Sequence, residues 1–319
     1  MQTKLEDRVE GVIYGQAIGD ALGLGMEGLS KTQVRQYYPN GLRHYGQIVR
    51  DAHRRRWDCG AWTDDTDQML CILDSLLERE ELDPLDIADR LYQWATRGGM
   101  GIGRTVRAVL YSPGFLQDPH AVARQMWESY GRNAAANGGV MRTSILGVWQ
   151  YHDPGRVRHN AEQVCRLTHY DPRCVGSCVA VCLAISALLR DHEDVAALVR
   201  EVAKETSVYD DRMREYFDKA MDDNLAALDL DGTCSGYTLK AMAAGLWALQ
   251  YADSYEQGIL KVIHEGGDAD SNAAVAGALL GAKFGFSQIP GQWIDGLAHG
   301  RDLRDRADRL LRIIDRFQS

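Results

Sequence analysis

Trp62-Thr63-Asp64-Asp65-Thr66-Asp67 decides how the chain is read, because three carboxylates and two hydroxyls stand within six residues, directly before Met69, Leu70, Leu73, Leu76 and Leu77 of a helical pattern. Acids that open a buried helix are costly to desolvate without a cation. A second cluster, Glu265-Gly266-Gly267-Asp268-Ala269-Asp270-Ser271, runs straight into a small-residue apolar helix over 272–284. The two clusters read as halves of one site, which makes both following helices core elements.

Hard divalent ions take oxygen ligands and keep several waters, so Asp, Thr and Ser without His or Cys favour Mg²⁺ or Mn²⁺ over zinc. The rival reading is capping, with Thr63 at one helix start and Asp270 or Ser271 at the other. Two such clusters, each preceded by glycine and each opening a buried helix, favour the metal.

The 319 residues show no Pro/Ser-rich linker or composition break, so one domain spanning 1–319 is expected. A hydrophobic share of 45% with only 8% aromatic and 32 glycines suits a core of Ala, Leu and Val with close backbone approaches. The net charge of −9 argues against nucleic acid, whose phosphates need a basic face. Arg54-Arg55-Arg56 is the one basic run and reads as a solvated loop, or else as a dock for an anionic partner. The charged start Met1 to Arg8 carries no apolar run, so no secretory signal is expected and the cytoplasm is the expected location. The longest charge-free run, Cys174 to Leu189, is shorter than the about 20 residues of a membrane span, so a buried helix and no membrane role are expected. Cys174, Cys178 and Cys182 share a helix face, and with Gly176, Ser177 and Ala180 between them they read as small-residue packing.

In chain order, Val9, Val12, Ile13, Ala17 and Ile18 space a helix with Gly11, Gly15 and Gly19 interleaved. Glu27 follows on the Gly-rich loop Gly23 to Gly28, as an exposed residue or as a mobile group beside the site. Helices are predicted over 66–82 and 84–96. Gly99-Met100-Gly101-Ile102-Gly103-Arg104 sets glycines before a helix start, where free N–H groups can hold a phosphate; with no preceding strand it is not a dinucleotide fold. Asn137-Gly138-Gly139-Val140-Met141-Arg142 is a polar turn whose Asn137 and Arg142 can bind. His169 lies before the Cys174 helix and reads first as a core histidine. Outer helices over 191–231, a helix over 238–251 and an amphipathic one over 301–317 with Phe317 inward complete the pattern. β-branched alternation is absent, so the class is all-α.

These residues together resemble the ADP-ribosylglycohydrolase family, most closely its dinitrogenase reductase-activating members. The matching motifs are Gly19-Asp20-Ala21-Leu22-Gly23 with Glu27, Trp62 to Thr66, Asn137 to Arg142, Thr168-His169-Tyr170-Asp171-Pro172-Arg173-Cys174 and Gly266 to Ser271, over about residues 8–285. The resemblance implies an all-helical fold with two Mg²⁺ or Mn²⁺ ions, acting on an ADP-ribosylated protein and releasing ADP-ribose. It implies Thr63, Asp64, Asp65, Asp268, Asp270 and Ser271 as metal ligands, Ser271 standing where most members have Thr. Glu27 would be the mobile acid, Gly101, Ile102 and Gly103 the diphosphate loop, and Asn137, Gly138, Arg142, His169 and Tyr237 the cleft lining. Asp67 reaches a metal-bound water or a nearby salt bridge.

The chemistry follows independently. Glycine amides and divalent ions suit an anionic diphosphate-sugar, and divalent ions chelate vicinal ribose hydroxyls and acidify water. Loss of the leaving group builds oxocarbenium-like charge that carboxylates stabilise. Asp65 or Glu27 takes the proton, and sequence does not choose between them. The resemblance favours N-linked ADP-ribosyl-arginine as the substrate, with O-linked serine or O-acetyl-ADP-ribose and a non-catalytic ADP-ribose binder as alternatives. A prenyl-diphosphate enzyme fits less well, because Asp64-Asp65-Thr66-Asp67-Gln68 lacks the last acid of its Asp-rich motif.

Overall fold

The computed structural model describes residues 3–314 and 316. Among these, fifteen α-helices and no strand occur, apart from an isolated bridge between Ala136 and Tyr237. The helices are α1 Lys4–Gly23, α2 Lys31–Tyr37, α3 Asp64–Arg79, α4 Pro84–Thr96, α5 Arg104–Leu110, α6 Pro119–Ser129, α7 Pro154–Cys165 and α8 Pro172–Leu189. They continue with α9 Val195–Thr206, α10 Arg212–Ala220, α11 Thr238–Tyr251, α12 Tyr255–Ile263, α13 Ala269–Phe284, α14 Gly291–Gly296 and α15 Gly300–Ile314. Local signals set most boundaries. Thr3 and Glu6 form a capping box on α1, and Asp83 accepts from two first-turn N–H groups of α4, with Pro84 at its first position.

The molecule is centred on α13, which packs most extensively against α1 and then against α11 and α12. It is buried on all sides from Ala269 to Ala282, and beyond the polar first turn Asp270-Ser271-Asn272 every face is Ala, Gly, Leu or Val. Small residues on α1 and α13 meet in antiparallel register, with Gly11 against Gly281, Gly15 against Gly277, Gly19 against Ala273 and Gly23 against Ala269. A Cβ on Gly15 would overlap the Gly277 carbonyl, so the two backbones touch. That register brings the C-terminal end of α1, with Asp20, beside the N-terminal end of α13, with Asp270.

Helices α4 and α11 have the bounds read from sequence, whereas the helix expected over 66–82 runs from Asp64 to Arg79. On α8, the window Pro172–Leu189 is apolar and long enough to cross a membrane, but 89% of it is buried inside the protein. Its Cys174 and Cys182 are wholly enclosed, and burial pushes both thiols well up, as small-residue core packing requires. Leu303, Ala307, Leu310 and Ile314 of α15 face inward, and Phe317 lies outside the described residues.

Candidate functional site

Helix α3 starts without a local cap. The Thr63 side chain makes no capping bond, and the cap position of α13 falls on Asp268, also without one, rather than on Asp270 or Ser271, which lie inside the first turn; this corrects the capping alternative for both clusters. The cap of α3 comes from another helix. Asp20 of α1 accepts from Thr63 N and Oγ1 at 2.9 and 2.8 Å and from Thr66 N and Oγ1 at 3.0 and 2.7 Å. All four donors reach one fully buried carboxylate. Asp20 therefore fixes the first turn of α3, from which Asp64 and Asp65 face α13.

The acids of the two helix starts then meet. Carboxylate oxygens of Asp20, Asp65 and Asp270 lie within 4.8 Å of one another, as do those of Glu27, Asp268 and Asp270. Each acid is held by a single-purpose donor. Gln68 Nε2 donates to Asp64 Oδ2 at 2.8 Å, Asn137 Nδ2 to Asp268 Oδ2 at 2.7 Å, and Ser271 N to Asp270 Oδ1 at 2.9 Å. The Thr63 hydroxyl lies 3.2 Å from Asp65 Oδ2, while Asp65 Oδ1 is buried with no partner. Burial first, and neighbouring carboxylates second, push Asp64, Asp65 and Asp270 well above the ordinary range, and burial raises Asp268. Burial takes Asp20 to about 6 against the pull of the Thr66 and Thr63 bonds. Converging acids with an orphaned oxygen fit hard divalent cations, whose charge would remove this repulsion.

Asp64, Asp65, Asp268, Asp270, Ser271 and Glu27 form one wall of a cavity of about 310 Å³. Gly101, Gly103, Arg104, Thr105, Asn137, Gly138 and His169 also line it. Gly101 has a left-handed φ of 89°, and a Cβ there would strike Asp64 Oδ1, so the glycine loop approaches the acids as closely as backbone can. A neighbouring depression shares Arg104, Thr105, Ala136 and Gly236 with this cavity and carries Arg173, Tyr216 and Tyr237. Tyr237 thus stands in the extension rather than in the main cavity.

Glu27 occupies the rim, and its loop is clamped rather than free. Arg54 donates to the carbonyls of Gly25 and Glu27 and pairs with Asp51, while Gly28 N donates to Gly267 O at 2.7 Å. Its carboxylate meets His53 Nε2 at 2.6 Å. The expectation of a solvated Arg54 is corrected, because the residue is 2% exposed and structural; Arg55 and Arg56 do face solvent.

Three further expectations change. Arg142 does not line the cleft: it is fully buried behind it and donates to Gln68 Oε1 and Thr168 Oγ1. Ile102 turns away from the cavity and packs on the apolar core. Asp67 points away from the acids and accepts from the Trp62 and Trp94 indoles at 2.8 and 2.9 Å. Asp20 and Arg104 stand within the sequence motifs without an expected role. A lone acid inside a Gly-rich apolar helix, and a cation directly after a glycine loop, were the available signals.

The ADP-ribosylglycohydrolase family model matches residues 1–318. An ADP-ribosylarginine hydrolase of Pseudomonas putida is 26% identical over 95% of this chain and 78% of its own. The ADP-ribosyl-[dinitrogen reductase] glycohydrolase of Rhodospirillum rubrum is 25% identical over 96% of each chain. A solved structure of an ADP-ribosylglycohydrolase-related protein complex superposes with a TM-score of 0.75 at 27% identity, covering 97% of this chain and 99% of that one. The chain belongs to the ADP-ribosylglycohydrolase family, and it is a glycohydrolase enzyme acting on ADP-ribosyl groups.

Proposed function

We propose that this enzyme removes ADP-ribose from a modified arginine side chain of a protein, using two Mg²⁺ or Mn²⁺ ions held between α3 and α13. The observation that carries this reading is the convergence of both acidic helix starts on one cavity that also contains a glycine loop. Thr63, Asp64 and Asp65 would hold the ions from one side, and Asp268, Asp270 and Ser271 from the other. The bound ions would supply chelation of the ribose hydroxyls and acidification of a water.

The other steps fall to the chain's own groups. Gly101, Gly103 and Arg104 receive the diphosphate, because backbone N–H groups and a guanidinium suit its oxygens. His169 and Asn137 bound the ribose end, and Tyr237 with Arg173 extends the binding surface outward. Carboxylates along the wall stabilise positive charge as the glycosidic bond breaks. Glu27 accepts the proton of the attacking water in preference to Asp65, since Glu27 stands at the rim with a half-exposed partner, His53, between it and solvent. A cationic guanidinium suits this acidic mouth, and the similarity to an ADP-ribosylarginine hydrolase supports the same reading.

The test is to incubate the protein and Mn²⁺ separately with ADP-ribosyl-arginine, ADP-ribosyl-serine and O-acetyl-ADP-ribose substrates. Fastest ADP-ribose release from the arginine conjugate is expected. Turnover of only the O-linked substrates would overturn the linkage, and turnover of none would overturn catalysis by this site.

A further inference from the structure

Behind the cavity runs a buried chain of hydrogen bonds whose direction is set by one residue. A guanidinium donates at every nitrogen and accepts at none. Arg142 Nη1 donates to Gln68 Oε1 at 2.7 Å, so the Gln68 amide must turn its nitrogen to Asp64 Oδ2, which it meets at 2.8 Å. Arg142 Nη2 donates to Thr168 Oγ1 at 2.6 Å, so that hydroxyl must send its own proton elsewhere. Its other partner is His169 Nδ1 at 2.8 Å. An Nδ1 that accepts leaves the ring proton on Nε2, which is buried, without a protein partner, on a residue lining the cavity.

We propose that Arg142 is a positioning residue for both halves of the cleft: through Thr168 it holds His169 as the Nε2–H tautomer, a donor to an oxygen of ADP-ribose, and through Gln68 it aims Asp64 at the cation site. This rests on the ADP-ribosyl hydrolase reading for the identity of the ligand. The protein groups alone fix the polarity of the relay. Gln68, Arg142, Thr168 and His169 are all at most 1% exposed, so water cannot substitute for a missing member without entering the core. Burial, with the Arg142 charge second, takes the His169 imidazole down to about 3, which keeps the ring neutral and the tautomer meaningful at neutral pH.

The experiment uses ¹⁵N-histidine-labelled full-length protein with Mg²⁺, reading His169 by its ring ¹⁵N shifts and identifying it by its loss in His169→Gln. The Nε2–H pattern is expected. Thr168→Val should shift His169 toward the Nδ1–H form and weaken ADP-ribose binding by calorimetry about tenfold, leaving Mn²⁺ affinity unchanged, while Thr168→Ser restores both readings. Gln68→Leu should do the converse, with Mn²⁺ bound about tenfold more weakly and the tautomer unaltered. Arg142→Lys should move both, and if it does not fold the Thr168 and Gln68 variants decide. An Nδ1–H ring in the wild type, a Thr168→Val protein with unchanged tautomer and ADP-ribose affinity, or a Gln68→Leu protein with unchanged Mn²⁺ affinity overturns the proposal. The tautomer and metal readings need no turnover. Wild-type protein with the Nε2–H ring but no affinity for ADP-ribose would therefore sink the functional reading, and not the relay.

Discussion

The start of α3 and the start of α13 carry similar acids but are built in opposite ways. At α3 the first-turn donors are taken by Asp20 from inside the core, four bonds on one carboxylate. At α13 the preceding Gly266 and Gly267 have left-handed φ values of 71° and 68°, and Gly267 pairs with the Glu27 loop, Gly28 N donating to Gly267 O and Gly267 N to Leu29 O at 2.8 Å. One half of the site is thus fastened to the packed core, and the other to the rim. The difference teaches that acids of one chemical type serve two ends: Asp20 satisfies backbone, whereas Asp270 is packed against neighbouring carboxylates that raise its pKa, the arrangement the proposed cation site calls for.

The largest effect that tests this contrast is on turnover. Asp270→Ala is expected to lower activity about 10³-fold, equivalent to about 4 kcal/mol of transition-state stabilisation, with metal content falling in parallel by elemental analysis. In chelator the same variant should melt no lower than wild type, because the substitution removes a carboxyl that burial and neighbouring carboxylates disfavour. Asp20→Ala should show the reverse emphasis. It leaves buried Thr63 and Thr66 donors unpaired, so metal-free stability should drop by about 3 kcal/mol in urea unfolding. If the two variants lowered metal-free stability equally, the division between a structural and a ligand-holding acid would fail.

That division explains what the sequence could and could not disclose. The paired clusters around Asp64 and Asp270 were visible because local density of acids before an apolar helix is itself the anomaly. Helices α4 and α11 were visible for the ordinary reasons of period and punctuation. Asp20 was not, since its partners lie 43 and 46 residues away and nothing local distinguishes a buried capping acid. Arg54 and Arg142 were misplaced for the same reason. A guanidinium reads as solvent-facing or ligand-facing until the carbonyls and amides that receive it are known, and for Arg54 those are Gly25 and Glu27.

A smaller effect sharpens the comparison through pH. A carboxyl whose folded pKa lies above its unfolded value binds its proton more tightly when folded, so unfolding releases protons and stability rises as pH falls. Asp64, Asp65 and Asp270 are shifted up, as is Asp20 to about 6. His169, pushed down to about 3, works against them once pH drops below its unfolded value near 6.5. Burial also raises Asp268 and lowers His264, and five raised carboxyls against two depressed imidazoles leave the metal-free protein melting higher at about pH 6 than at about pH 8. Saturating Mn²⁺ should flatten or reverse that slope, since the ion requires the charged carboxylates. A metal-free melting temperature that falls on acidification over this range would show that the acids are not in the mutually repelling arrangement described.

The smallest effect is expected at the rim. His53→Ala removes the Glu27 carboxylate's bond to Nε2 but leaves the Glu27 carbonyl on Arg54 and Gly28 on Gly267. With the loop backbone still clamped, only side-chain freedom increases, so kcat should fall about threefold to tenfold, the range of one lost hydrogen bond, while Mn²⁺ affinity and KM hold. Arg54→Ala instead frees the backbone itself and should cost more than His53→Ala in both kcat and stability. Equal losses in the two variants would mean that the Glu27 side chain, and not the anchoring of its loop, controls the rim, and the contrast between a core-fastened and a rim-fastened half would have to be redrawn.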